Sequence, residues 1–180
     1  MKNLKEYIVE GIFDVEDNID NVDESIREEI KHFLKDNFKT NSTYQISKKP
    51  NKEGKFEVLS NGTVSVKNEH ITSLTNDSFI WTNIKGNFNC SKCNSLISLE
   101  GAPEKVGGVF SCSDCRLITS LEGAPKEIKG SFYCQYCTSL TSLEGAPKEV
   151  GENFCCGDCG SKFTQKDVKK VSNVKGRINV

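Results

Sequence analysis

The sequence predicts a mainly β solenoid of short parallel strands, with an α-helical N-terminal region and a C-terminal helix cap. Three observations carry this. A C-x-x-C pair recurs every 22 residues: the first cysteines are Cys90, Cys112, Cys134 and Cys156, the second Cys93, Cys115, Cys137 and Cys159. Apolar positions keep the same step, in Phe88, Phe110, Phe132 and Phe154, and in Ile84, Val106, Ile128 and Val150. Finally, each Phe stands two residues before a Cys, the spacing that puts both side chains on one face of a strand. A fixed period of this length marks stacked units that bury their apolar edges only against one another.

Composition sets the bounds. The 180 residues carry a net charge of −1 and a mean hydropathy of −0.48. No strong field draws the chain toward nucleic acid or a membrane surface. No stretch approaches the roughly 18 apolar residues of a membrane span. The first residues, "MKNLKEYIVEGIFDVEDNID", show no continuous apolar run of the secretory kind. The nine cysteines are therefore expected to be reduced, and their odd number argues against a full disulfide framework.

Five segments are expected: an acidic helical region at 1–38, a linker at 39–55, an N-terminal cap at 56–83, the 22-residue repeats at 84–160, and a C-terminal cap at 161–180. In the first, Val15, Ile19, Val22, Ile26, Ile30 and Phe33 or Leu34 step by three and four, one apolar helical stripe. The stripe is expected to pack on the open first coil, with self-association through residues 1–38 as the alternative. Asn21 with Glu24 reads as a capping box. A shorter helix carries Leu4, Ile8 and Ile12. "DVEDNIDNVDES" fails as an EF-hand, because Ile19 takes the place of the loop glycine and Ser25 that of the final glutamate. Residues 39–54 are polar, with Pro and Gly, and read as a spacer. Val64 and Val66 alternate with polar residues, as in short strands. Trp81, the only tryptophan, sits where a cap needs a large plug.

Within the repeats one strand per coil is expected, near 86–90, 108–112, 130–134 and 152–156. Gly101, Gly123 and Gly145 permit the turns of "LEGAP", and the following Pro fixes φ. The leucine-rich-repeat pattern L-x-x-L-x-L-x-x-N/C-x-L fits with Phe110 and Cys112 inward, Cys115 on the N/C position and Leu117 on the last. Leu96 and Leu140 then come one residue late. At the other end Thr164 with Asp167 opens a helix through Val168 and Val171, and Val174, Ile178 and Val180 imitate a strand without cysteine.

The "SLEGAPKEVGG-F-C--C" units resemble those of leucine-rich-repeat-like proteins of tailed bacteriophages and gut viral sequences. "YIVEGIFDVEDNIDN", "YQISKKPNKEGKFEV", "ITSLTNDSFIWTNIKGNFNC" and "FTQKDVKKVSNVKG" resemble that family's leader, linker, cap and end piece. The resemblance covers most of the chain. It implies a phage-encoded protein in the cytoplasm of an infected bacterium, with the virion interior as the alternative. The N-terminus also looks like the leaders of internal head proteins, whose proteases cut after Leu- or Ile-x-Glu. Ile8-Val9-Glu10 matches that motif and places the cut between Glu10 and Gly11.

The expected function is non-enzymatic binding of a protein partner, with no nucleic acid, membrane or cofactor. His32 and His70 have no neighbours that suggest an activated nucleophile, and "GAPKEVGG" lacks the phosphate-loop spacing. Positions that alternate with the core vary between copies: Asn89, Ser111, Tyr133 and Cys155 before the pair, with Val109 preceding; then Lys92, Asp114, Tyr136 and Asp158, with Gln135. Read as strand residues these share an outward face. Tyr133 and Tyr136 are its expected anchors, and Cys155 its most accessible thiol. The alternative is a zinc protein using the C-x-x-C pairs, since their spacing falls within that of zinc ribbons.

Overall fold

The computed structural model describes residues 19–180, with side chains from residue 23. The expected helix at Leu4–Ile12, the cleavage position Glu10–Gly11 and the side chains of Val15, Ile19 and Val22 lie outside the described residues. Helix α1 spans Ile19–Asn37. Asn21 lies inside it, so the helix does not start at the expected capping box. The downstream stripe is used: Ile30 and Leu34 are fully buried, and Ile26 and Phe33 pack at the margin. The Phe33 ring lies 5.7 Å from that of Phe79 and 6.2 Å from that of Phe38, so α1 packs on the first coil. On its wet face Arg27 and Lys31 pair with Glu24 and Glu28, contacts that stabilise a helix by only a few tenths of a kcal/mol each.

The rest is a β-solenoid of about six turns. Each coil contributes to two sheets, not one. The first sheet runs β1 (Phe38–Thr40), β4 (Val64–Val66), β6 (Phe88–Asn89), β8 (Phe110–Ser111), β10 (Phe132–Tyr133), β12 (Phe154–Cys155) and β14 (Ile178–Asn179). The second holds β2 (Tyr44–Ile46), β3 (Phe56–Ser60), β5 (Phe79–Ile84), β7 (Lys105–Val106), β9 (Glu127–Ile128), β11 (Glu149–Val150) and β13 (Asn173–Val174). Pairing is parallel from β4 and β3 onward, in register Phe88↔Phe110↔Phe132↔Phe154 and Ile84↔Val106↔Ile128↔Val150. The single strand expected per coil becomes two because the intervening Gly–Gly, Lys–Gly or Gly–Glu turns the chain between the Val/Ile and Phe positions. The segment read as a linker carries β1 and β2, which pair antiparallel with β4 and β3. A few apolar residues decide this: Phe38, the last of the region before it, is buried, and Tyr44 and Ile46 pack on the core.

The core follows the columns. Phe88, Phe110, Phe132 and Phe154 are fully buried, with ring centroids 5.6, 5.8 and 4.9 Å apart down the stack. Each contributes roughly 1.5–3 kcal/mol by leaving water. Leu96, Ile118 and Leu140 form another column, and Leu99, Leu121 and Leu143 the opposite wall. Leu117 is therefore not the inward residue the leucine-rich-repeat pattern selects; it is 48% exposed, and Ile118 fills the position. The strict 22-residue step wins because parallel pairing locks each coil to the one before. Trp81 plugs the first coil and donates from Nε1 to the Leu74 carbonyl at 2.8 Å, which satisfies its one buried polar atom. Gly123 needs its freedom: φ is +83°, and a Cβ there would stand 2.3 Å from the Glu100 nitrogen. Beyond the last pair, α2 (Gln165–Val171) is closed by a reciprocal Thr164–Asp167 capping box and buries Val168.

Candidate functional site

The cysteines build the inside of the coil. All nine are free thiols, and the pairs are inward or at the turn. The second cysteine of the last three pairs reaches back to the previous coil: Cys115 Sγ donates to Cys90 O at 3.1 Å, Cys137 Sγ to Cys112 O at 3.2 Å, and Cys159 Sγ to Cys134 O at 3.1 Å. The first cysteines reach forward, Cys90 to Ser111 O at 3.4 Å and Cys112 to Tyr133 O at 3.6 Å. A small polarisable side chain with one weak donor suits this place, where the turn leaves carbonyls facing the core. Hydrogen bonding to the neighbouring column and burial hold the Cys90 and Cys112 thiols well above the usual thiol range; for Cys134 burial leads. Cys115 Sγ donates to a carbonyl oxygen away from water, where a thiolate would be repelled, so this thiol is neutral. Among the described residues no set of three or more His, Cys, Asp or Glu is placed to hold a metal ion.

The outward positions do not form the single strand face expected. Asn89, Ser111 and Tyr133 do lie on strands of the first sheet, with Asn89 exposed and Ser111 and Tyr133 half-buried. Cys155 shares their column but is only 4% exposed, because Asn179 of the last coil covers it and donates Nδ2–H to its Sγ at 3.2 Å. The expected accessible thiol is thus shielded. Val109 and Gln135 are half-buried. Ser131, which flanks the face, is buried and donates to Glu152 Oε2 at 2.9 Å.

Lys92, Asp114, Tyr136 and Asp158 are not strand residues. They occupy the left-handed region, with φ of 65°, 60°, 60° and 55°. Each coil bends there, so that the two cysteines of a pair both reach the interior. Asp accepts this conformation readily, whereas a bulky residue such as Tyr136 carries strain of about 1–2 kcal/mol. The corner projects side chains outward as a column. Tyr136 is 54% exposed, and beside it Asp114, Arg116 and Thr138 outline a shallow notch of about 410 Å³. Asp114 Oδ1 accepts from Arg116 Nε at 2.8 Å, which fixes the guanidinium. Leu117, 48% exposed, follows Arg116 directly, whereas Ile97, 66% exposed, stands beyond the corner residue Lys92 of its own coil. Of the four exposed large apolar residues among those described, Tyr136 outlines the notch and Leu117 adjoins Arg116; the others are Ile97 and Val180. Spacing alone gave no sign of the corner, because a left-handed residue other than Gly leaves no mark in a sequence.

His32 and His70 are both exposed and stand on separate elements. No helix among the described residues is long and apolar enough to cross a membrane. The arrangement defines a two-sheeted β-solenoid with a thiol-lined core and an apolar, aromatic-bearing corner. No protein-family model, curated protein or solved structure matches the chain.

Proposed function

We propose that the protein is a non-catalytic binding module whose ligand is another protein, recognised along the corner that carries Tyr136. The observation that supports this most is the strain at Tyr136. A tyrosine held at φ 60° with its ring largely in solvent adds nothing to the core and costs stability. Strain of this kind tends to collect at functional positions. Tyrosine and arginine are also the residue types that dominate interface energetics. Here an exposed tyrosine stands beside an arginine already oriented by Asp114, with the exposed Leu117 next to that arginine in the chain. The phage origin, the likeness to leucine-rich repeats, and a site of action in the infected bacterial cytoplasm or in the virion belong to the same reading and rest on the sequence resemblance.

The test is quantitative capture from infected bacterial lysate with wild type, Tyr136→Gly and Leu117→Ser. Tyr136→Gly suits the left-handed position, so it should hold or raise stability by up to about 1 kcal/mol while lowering capture at least tenfold. Equal capture of the same partner by all three would remove the corner from consideration. Near-stoichiometric zinc in the purified, reduced protein would replace this reading with the metal-centred one.

A further inference from the structure

A second concavity lies away from that corner, between α1 and the β1–β2 segment. It measures about 480 Å³, within the range of small-molecule sites. Its apolar lining comes from Leu34, Phe38 and Ile46. Two of the lining residues carry a polar atom that is buried without a hydrogen-bond partner, Tyr44 Oη and Arg27 Nε. Both groups can donate. Buried donors are nearly always paired in folded proteins, so two orphans on one groove call for an acceptor. The remaining polar rim is cationic: Lys31 and Lys35 follow Arg27 at four-residue steps, along one stripe of α1. Glu24 and Glu28 engage Arg27 Nη1 and Lys31 Nζ, whereas Arg27 Nε–H has no hydrogen-bond partner.

We propose that this groove binds a small amphipathic carboxylate. Its carboxylate would accept from Tyr44 Oη–H and Arg27 Nε–H, and its apolar body would lie on Leu34, Phe38 and Ile46. Charge complementarity selects an anion, and the apolar floor selects one with a hydrocarbon body. Burial pushes the Tyr44 phenol up to about 12, so it stays a donor through the physiological range. The site is separate from the Tyr136 corner, and the two stand or fall independently.

Trp81 reports on the site, because its ring lies 5.7 Å from that of Tyr44 and it is the only tryptophan. Its fluorescence in the full chain should be titrated with octanoate, octan-1-ol and acetate. Octanoate should bind saturably at one site, with octan-1-ol and acetate each at least tenfold weaker. Tyr44→Phe removes one oxygen and keeps the ring; it should weaken octanoate about tenfold, as expected for losing a hydrogen bond to a charged group. Arg27→Met should do the same, and Tyr136→Ala should leave octanoate binding unchanged. The proposal is overturned if octan-1-ol binds as well as octanoate, if Tyr44→Phe binds octanoate like wild type, or if no saturable binding occurs. It also falls if an acidic, apolar peptide outcompetes octanoate tenfold, since the groove would then be a peptide site.

Discussion

Tyr44 carries an energetic cost that a single atom can reveal. Its ring packs on Trp81, but its hydroxyl is buried without a partner. Tyr44→Phe should therefore raise stability by about 1 kcal/mol in the absence of ligand, the desolvation penalty of one unmade hydrogen bond. The pH dependence has a definite sign. The folded pKa, about 12, lies above the ordinary tyrosine value near 10, so the neutral phenol is the form that folding favours. This contribution is fully present below about pH 10 and is lost as pH rises toward 12. Urea denaturation of wild type and Tyr44→Phe at pH 8, 10 and 11.5 should show the difference growing with pH. A constant difference would mean that the phenol is solvated after all. None of this was legible in the sequence, where Tyr44 stood in a polar stretch read as a spacer. Cys155 failed in the opposite way: alternation placed it outward correctly, but only the next coil shows that Asn179 covers it.

At the scale of elements, legibility followed the strength of the local signal. The C-terminal helix was readable because its start is written in side chains. Thr164 accepts from the Asp167 amide, while Asp167 accepts from the Thr164 amide at 3.1 Å. The Thr164 hydroxyl and Lys170 also bond to the Asp167 carboxylate and hold it down to about 2. Thr164→Ala should cost about 0.5–2 kcal/mol in chemical denaturation and should return the Asp167 carboxylate toward the ordinary range in an NMR titration. An unmoved Asp167 would show that the box is not formed. The strands were harder. Two-residue strands such as Lys105–Val106 have no period of their own, and exist only because equivalent residues lie above and below. The same absence of local pattern hid β1 and β2. There a single buried Phe38, edge-on to Trp81 and tilted against Phe88, outweighs a polar composition.

For the molecule as a whole, the repeat makes stability nearly one-dimensional: each coil contacts its neighbours and little else. The parallel register Phe88↔Phe110↔Phe132 and Val106↔Ile128↔Val150 shows that the unit is 22 residues in both sheets at once. That period, visible in the sequence, specified the coil, its core columns and the "LEGAP" turns at φ near +80°. It left the corner unspecified, because a left-handed Lys, Asp or Tyr looks like any other residue. The period can be tested by excising one coil. Removing residues 108–129 joins Gly107 to Gly130, the counterpart of the excised Gly108, and puts Phe88 beside Phe132 and Val106 beside Val150. This shortened chain should fold cooperatively, with a denaturant m-value lower by about one-eighth, in proportion to the residues removed. Removing residues 108–118 instead takes out half a coil, with Phe110, Cys112, Cys115 and Ile118 of its buried columns. The two sheets then differ by one strand, since β9 stays between β7 and β11 while β6 loses β8. This second chain should lose the cooperative transition. If both shortened chains unfold alike, the coils are not independent units and the one-dimensional description fails.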